Sequence, residues 1–279
     1  MANSRSLTRN SVVTTPLTLS VRTANGRVRI KGTEGNLATV NVTIEPHHGE
    51  VSDEEVQRIA EGIVFAGDSL TVESPDGGGS PFSGGFGSAI AFAVGGWRSL
   101  RVSYDIEVPL ATKLELACAN GPVDIADLGG ALELKLANGP LRASRCGGAV
   151  KVRLVNGPLK LDDVGGPLEV SATNGPTHVQ DVHGDVEARV LNGPFHYSGA
   201  VAGNFDLEAT NGPLVLKLPA DSRFEVDAEA QQGSVHSDFA VSEGGGGASG
   251  SYKLQLRTRR GHIHLQEMAP DGVREEYSG

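Results

Sequence analysis

The sequence predicts an all-β chain: a single elongated right-handed parallel β-solenoid, or β-helix, with turns of about 18 residues and two strands per turn. Three observations predict it. Asn-Gly-Pro recurs with its asparagine at Asn120, Asn138, Asn156, Asn174, Asn192 and Asn211, spacings of 18, 18, 18, 18 and 19 residues. A second glycine corner falls half a period away, at Gly129-Gly130, Gly147-Gly148, Gly165-Gly166 and His183-Gly184. Between the corners, apolar and polar residues alternate, the signature of strands with one buried face. Residues one period apart then form apolar lines, such as Leu134, Val152, Val170, Ala188 and Leu207.

Asn-Gly between alternating runs is also a hairpin signal, so an antiparallel meander is the competing topology. Proline argues against it. The residue after Gly in a two-residue hairpin donates its N–H to close the turn, and Pro has none. A parallel stack also explains why Asn returns only at every second corner, because residues one period apart then lie about 4.8 Å above each other. Asn tolerates the left-handed backbone of a tight corner, and its amide can bond the Asn above and below. The expected structural ladder is those six asparagines with Gly121, Gly139, Gly157, Gly175, Gly193 and Gly212.

Residues 1–14 are polar and read as a flexible N-terminus. Leu17, Leu19 and Val21 run into Asn25-Gly26, then Val28 and Ile30, an early copy of the repeat without its proline. Ser52 and Glu55 form a capping box, and Val56, Ile59, Ala60 and Ile63 make an apolar stripe at helical spacing. One short helix is therefore expected in an insertion at about 51–63, covering core near the first turns. Residues 76–99 read as a Gly-rich loop containing Trp97, with no Walker pattern. Strands resume at Leu100, regular repeats occupy 112–219 and degenerate turns 220–267, with a Gly/Ser insertion at 243–251. The solenoid domain is thus 15–267, followed by a flexible tail at 268–279.

The order of these elements resembles one known family. Leu19 to Gly26 spells Leu-x-Val-x-Thr-x-Asn-Gly, followed by a helix-bearing insertion and Tyr-x-Ile-x-Val-Pro at Tyr104–Pro109. Serial Asn-Gly turns, Leu-Pro-Ala at Leu218–Ala220 and a closing Gly-x-Ile-x-Leu at Gly261–Leu265 complete it. Over nearly the whole chain this is similar to the bacterial putative-adhesin β-strand-repeat family, a domain of unknown function. The resemblance implies a parallel β-solenoid and an adhesin-like role, and it brings no set of catalytic residues.

Composition narrows the function classes. The 279 residues carry 24 Lys+Arg and 34 Asp+Glu, a formal net charge of −10, which argues against a nucleic-acid partner. No stretch approaches the ~20 apolar residues of a transmembrane segment. The opening Met-Ala-Asn-Ser-Arg-Ser has no apolar core of a signal peptide. As written the chain therefore reads as cytoplasmic, and as cell-envelope or extracellular where a leader has been removed. Cys118 and Cys146 lie at opposite corners, roughly 20 Å apart at ~3.3 Å per residue, and read as buried hydrophobes rather than a disulfide.

The outward lines mix charges: Glu133, Lys151, Glu169, Glu187 and Asp206; Lys135, Arg153, Ser171, Arg189 and Glu208; Asp124, Arg142, Lys160, His178 and His196. That pattern suits a solvated sheet face, where Lys151→Glu would be nearly neutral. Asp162-Asp163, Asp181/His183/Asp185 and His262/His264 are the best acid–base or metal-like groupings, but none has a full ligand set. Phe195 and Tyr197 fall on inward lines, leaving no aromatic stripe for sugars. No catalytic, metal or cofactor residues are assigned. The expected function is a non-enzymatic scaffold, an adhesin-like cell-surface or protein-interaction module with an unknown protein or glycan partner. The alternatives are a glycan-binding or polysaccharide-active β-helix, marked by a groove lined with acidic residues, and self-association through the solenoid ends.

Overall fold

The computed structural model describes residues 4–46, 50–74, 100–239 and 252–268. Two sheets enclose one apolar core. Sheet I gathers the strands that run into the Asn corners: β2 (Leu17–Asn25), β8 (Thr112–Asn120), β10 (Leu132–Asn138), β12 (Val150–Asn156), β14 (Leu168–Asn174), β16 (Val186–Asn192) and β18 (Phe205–Asn211). Sheet II gathers those that leave them: β3 (Val28–Thr33), β9 (Val123–Leu128), β11 (Leu141–Cys146), β13 (Leu159–Val164), β15 (Thr177–Val182), β17 (Phe195–Ser198) and β19 (Leu214–Pro219). All pair in parallel, in the register the period predicts. Val152, for example, sits between Leu134 and Val170, and Leu159 between Leu141 and Thr177.

The hydrogen bonds have a constant sense along the stack. The N–H of an inward residue donates to the next layer, as from Leu114 to the Ala131 carbonyl and from Val150 to that of Pro167, both 2.9 Å. In β9, β11, β13 and β15, sheet II breaks strict alternation once per strand. Asp127, Arg145, Asp163 and Asp181 adopt left-handed backbone with φ of 61°, 52°, 58° and 48°. Each resets the phase, so Leu128, Cys146, Val164 and Val182 turn inward three residues after the preceding inward side chain. A period-2 template misses this, although aspartate is among the residues that tolerate the conformation.

Parallel stacking stops at the N-terminal end. β4 (Leu37–Pro46) pairs antiparallel with β7 (Leu100–Pro109), and β5 (Ile63–Ala66) with β6 (Ser69–Glu73). Residues 5–12, expected within a flexible N-terminus, instead form β1 (Arg5–Val12) antiparallel to β4. Pairing satisfies its backbone groups on the β4 side, and Leu7 packs on the core opposite Val42. On the same inward line stand Arg5 and Arg9, opposite Ile44 and Val40. A charge pointing inward is a device that ends a sheet. The helix α1 (Asp53–Glu61) begins at the Ser52–Glu55 capping box and buries Ile59 and Ala60 at this end, as the sequence expects.

At the C-terminal end, layer order departs from chain order. β22 (Tyr252–Arg260) and β23 (Ile263–Met268) lie on β18 and β19, while β20 (Phe224–Gln232) and β21 (Val235–Ser237), earlier in the chain, are outermost. The degenerate region 220–267 is therefore not a simple succession of turns. The inner layer goes to the stronger apolar lines. Leu254, Leu256, Ile263 and Leu265 are fully buried, whereas Ala228 and Ala230 are half-buried and Val235 exposed. Residues 76–99 with Trp97, 243–251 and 269–279 lie outside the described residues; Met268, read as tail, closes β23.

Candidate functional site

The six predicted asparagines stack in register, and Asn25 extends the series. Each side-chain amide donates to the amide oxygen of the preceding layer: Asn120 to Asn25 (3.0 Å), Asn138 to Asn120 (2.9 Å), Asn156 to Asn138 (2.8 Å) and Asn174 to Asn156 (2.7 Å). Asn192 to Asn174 (2.9 Å) and Asn211 to Asn192 (2.8 Å) complete the ladder. Its dipoles align, so the free carbonyl end lies at Asn211, where the next layer places Arg260. A cation there complements the negative end of the array, as at a helix C-terminus. The ladder is structural and offers no reactive group.

The outer face of sheet I holds an open groove of about 950 Å³, running along the stack from β2 to β22 beside the second glycine corner. Two lines of side chains shape it. One is Glu115, Glu133, Lys151, Glu169, Glu187 and Asp206. The other, two residues earlier in each strand, is small in the middle, with Ala131, Ala149 and Pro167, and charged towards its ends, with Lys113, Asp185 and Lys253. The corner glycines before those small residues let successive layers close up; a Cβ on Gly148 would lie 2.5 Å from the Gly130 carbonyl oxygen.

Six carboxylates and three lysines line the groove, so its field is negative. Lys151 pairs with Glu169 at 2.5 Å, and Lys135 reaches Glu133 from the neighbouring line at 2.6 Å. The Lys135 hydrogen bond, opposed by partial burial, holds the Glu133 carboxyl below the usual range. Asp185 accepts from the Asn204 backbone N–H at 2.7 Å. One oxygen of Asp206 is buried without a hydrogen-bond partner among the described residues. Repetition every layer, about 4.8 Å, matches a chain-like ligand better than a compact one.

The remaining candidates are dispersed. His178 and His196 stack at 4.9 Å on sheet II, each held below the ordinary histidine value, first by burial and then by neighbouring charge. His183 lies 3.7 Å from Asp163. Asp181 is one of the left-handed residues, and Asp162 stays on the outward line opposite Ser144 and Gln180. At the outermost layers the Ser234 hydroxyl bridges His262 (2.9 Å) and His236 (2.8 Å), and His264 stacks on His236 at 5.2 Å. Among the described residues no group of three or more His, Cys, Asp and Glu converges as a metal site. Cys118 and Cys146 are free and buried, and burial pushes both thiols up to about 12, so neither supplies a thiolate at neutral pH. No helix among the described residues is long and apolar enough to cross a membrane.

Sequence reasoning located the ladder and the outward lines but not the groove. The available signal was the small residue after each glycine corner, which acquires meaning only when the layers are stacked.

Among solved structures, the chain is similar to a protein of Clostridium sporogenes named a "putative cell adhesion protein" (14% identity, covering 95% of this chain and 100% of that one, TM-score 0.28). It is similar to a "putative adhesin" of Bacteroides fragilis (12% identity, 94% and 97% covered, TM-score 0.34). A third is a "putative lipid binding protein" of Parabacteroides distasonis (9% identity, 94% and 94% covered, TM-score 0.35). No curated protein matches the sequence. The model of one family spans residues 7–266, from the N-terminal edge strand to β23. The chain belongs to the Toastrack DUF4097 family.

Proposed function

We propose that the chain is a non-enzymatic, adhesin-like interaction scaffold of the cell surface that holds an extended ligand along the groove of sheet I. The observation that carries this reading is the groove itself: a low floor and repeated ionic side chains run through successive layers without interruption. Preformed concave surfaces with a few convergent polar groups are the usual places for ligands. The parallel stack supports the same reading, because each layer is fixed by two neighbours and the spacing of binding groups is set before a ligand arrives.

Its acidic lining favours glycan recognition as a second reading, with carboxylates accepting from sugar hydroxyls or pairing with sugar ammonium groups. Immobilised chitosan oligomers, dextran and alginate supply cationic, neutral and anionic chains. Binding is expected to fall in that order and to drop at least tenfold in Glu169→Gln/Glu187→Gln. Asp105→Asn/Glu107→Gln on sheet II removes the same charge and should leave binding unchanged. Equal loss in both variants, or no binding to any of the three, would remove the glycan reading; release of shortened chains would overturn the non-enzymatic one. Protease treatment of intact source cells tests the surface assignment: digestion of the protein supports it, and full protection rejects it.

A further inference from the structure

Sheet I ends at the C-terminal side on β20, and among the described residues no strand pairs with its outer edge. The constant sense of the hydrogen bonds shows which groups are left. Inward residues bond the next layer outwards, and at this end the Ile263 N–H still donates to the Ser234 carbonyl at 3.0 Å. In β20, the outward residues Glu225, Asp227 and Glu229 lie opposite Lys253, Gln255 and Arg257 and bond back to β22. The N–H and C=O groups of Val226, Ala228 and Ala230 therefore face the open edge. A row of unpaired backbone groups on a nine-residue strand is a template for an added strand.

The side chains select what can be added. Glu225, Asp227 and Glu229 are all exposed, and none takes part in an ion pair with another of the described residues. Arg257, opposite Glu229, turns instead to Glu208. An incoming strand places its outward side chains within about 5 Å of these three acids, where opposite charges stabilise and like charges repel. Its inward side chains meet Ala228 and Ala230, small and half-buried, which leave room for apolar residues.

A second copy fits poorly. Two β20 edges related by a two-fold axis bring Asp227 against Asp227 and Glu225 against Glu229. Head-to-tail stacking brings β5, the other end of sheet I, against β20; its four residues, Ile63–Ala66, cover less than half of the nine-residue edge and offer no cation to the three acids.

We propose that the free edge of β20 is a docking site for an extended segment of a partner protein in which Lys or Arg alternates with apolar residues. The site is independent of the groove, which lies on the sheet face. The probe is a blocked nonapeptide alternating Lys with Val, compared with its Glu/Val counterpart, titrated into the full chain by fluorescence anisotropy. The Lys/Val peptide should bind saturably, at least tenfold tighter than the Glu/Val peptide, and weaken as salt rises. Ala228→Pro removes an edge N–H without touching the ladder to β22, so it should abolish binding with the melting temperature unchanged. Should that variant fail to fold, the triple exchange Glu225→Lys, Asp227→Lys, Glu229→Lys is expected to reverse the preference towards the Glu/Val peptide. Equal binding of the two peptides, undiminished binding in folded Ala228→Pro, or an unreversed preference in the triple variant would overturn the proposal. So would a homo-oligomer, seen by sedimentation velocity, that Ala228→Pro dissolves, because the edge would then belong to a second copy.

Discussion

Val152→Asp is expected to destabilise the chain by about 4 kcal/mol or more, enough to lower the melting temperature by roughly 10 °C or to prevent folding. Val152 is fully buried at the centre of β12, between Leu134 and Val170 in the adjoining layers. Two effects add. Removing the isopropyl group from the core forfeits about 1.5–3 kcal/mol of burial. The carboxyl that replaces it either stays ionised in an apolar stack or takes up a proton and still lacks a partner, for a further few kcal/mol. Val152→Ala, which suffers only the first loss, should fall between wild type and Val152→Asp. Thermal unfolding followed by circular dichroism decides it: a Val152→Asp protein melting within 2 °C of wild type would mean that the inward register is wrong. The neighbouring Lys151→Glu exchange is not the neutral control that its outward position suggests. Lys151 pairs with Glu169 and sits between Glu133 and Glu169 in the same line. The exchange converts attraction into repulsion on both sides, so about 1 kcal/mol of destabilisation is expected.

Gly157→Ala should be nearly as damaging, about 3 kcal/mol or more, although it adds a single methyl group. Gly157 has φ of +142°, a conformation essentially reserved for glycine, which by itself accounts for about 1–3 kcal/mol. The added Cβ would also stand 2.2 Å from the Gly139 carbonyl oxygen and 2.7 Å from its carbon. Both contacts are with backbone, so no side chain can swing aside. The layers would have to part, weakening the Gly139 N–H bond to the Asn156 carbonyl (2.9 Å) and the Asn156–Asn138 amide bond (2.8 Å). Gly67→Ala is the matched control. Its φ is +63° and nothing lies within 4 Å of the added carbon, so only the local backbone cost of about 1 kcal/mol applies. Denaturant unfolding of the two variants side by side tests the difference. Equal shifts would show that the corner glycines serve local conformation alone and that the layers are not in close contact there.

Much of the architecture was legible because it repeats. Eighteen-residue spacing, proline after each Asn-Gly and apolar lines one period apart all follow from parallel stacking, and the Asn ladder appears where those constraints place it. The Ser52–Glu55 capping box was legible for a different reason: its bonds close within four residues. The phase shift at Asp127, Arg145, Asp163 and Asp181 was not, since a left-handed residue inside a strand carries no fixed side-chain signature, and Arg145 is not a usual occupant.

By itself the sequence determined the period, the parallel pairing, the inward residues and the corner at which asparagine amides meet. Each is a near-neighbour property, set by the alternation within one strand or by the copy one layer away. Only the tertiary structure decided how the stack ends. Whether Arg5–Val12 pairs, and whether residues 224–237 or 252–268 take the inner layer, depends on competition among segments far apart in the chain for the same two sheet edges. That competition goes to the segment that buries the most apolar surface: Leu254, Leu256, Ile263 and Leu265 take the inner layer and leave the half-buried alanines of β20 at the edge. The groove is decided in the same way, because its lining residues come from strands spread between Thr18 and Gln255 and become a surface only when the layers are in register.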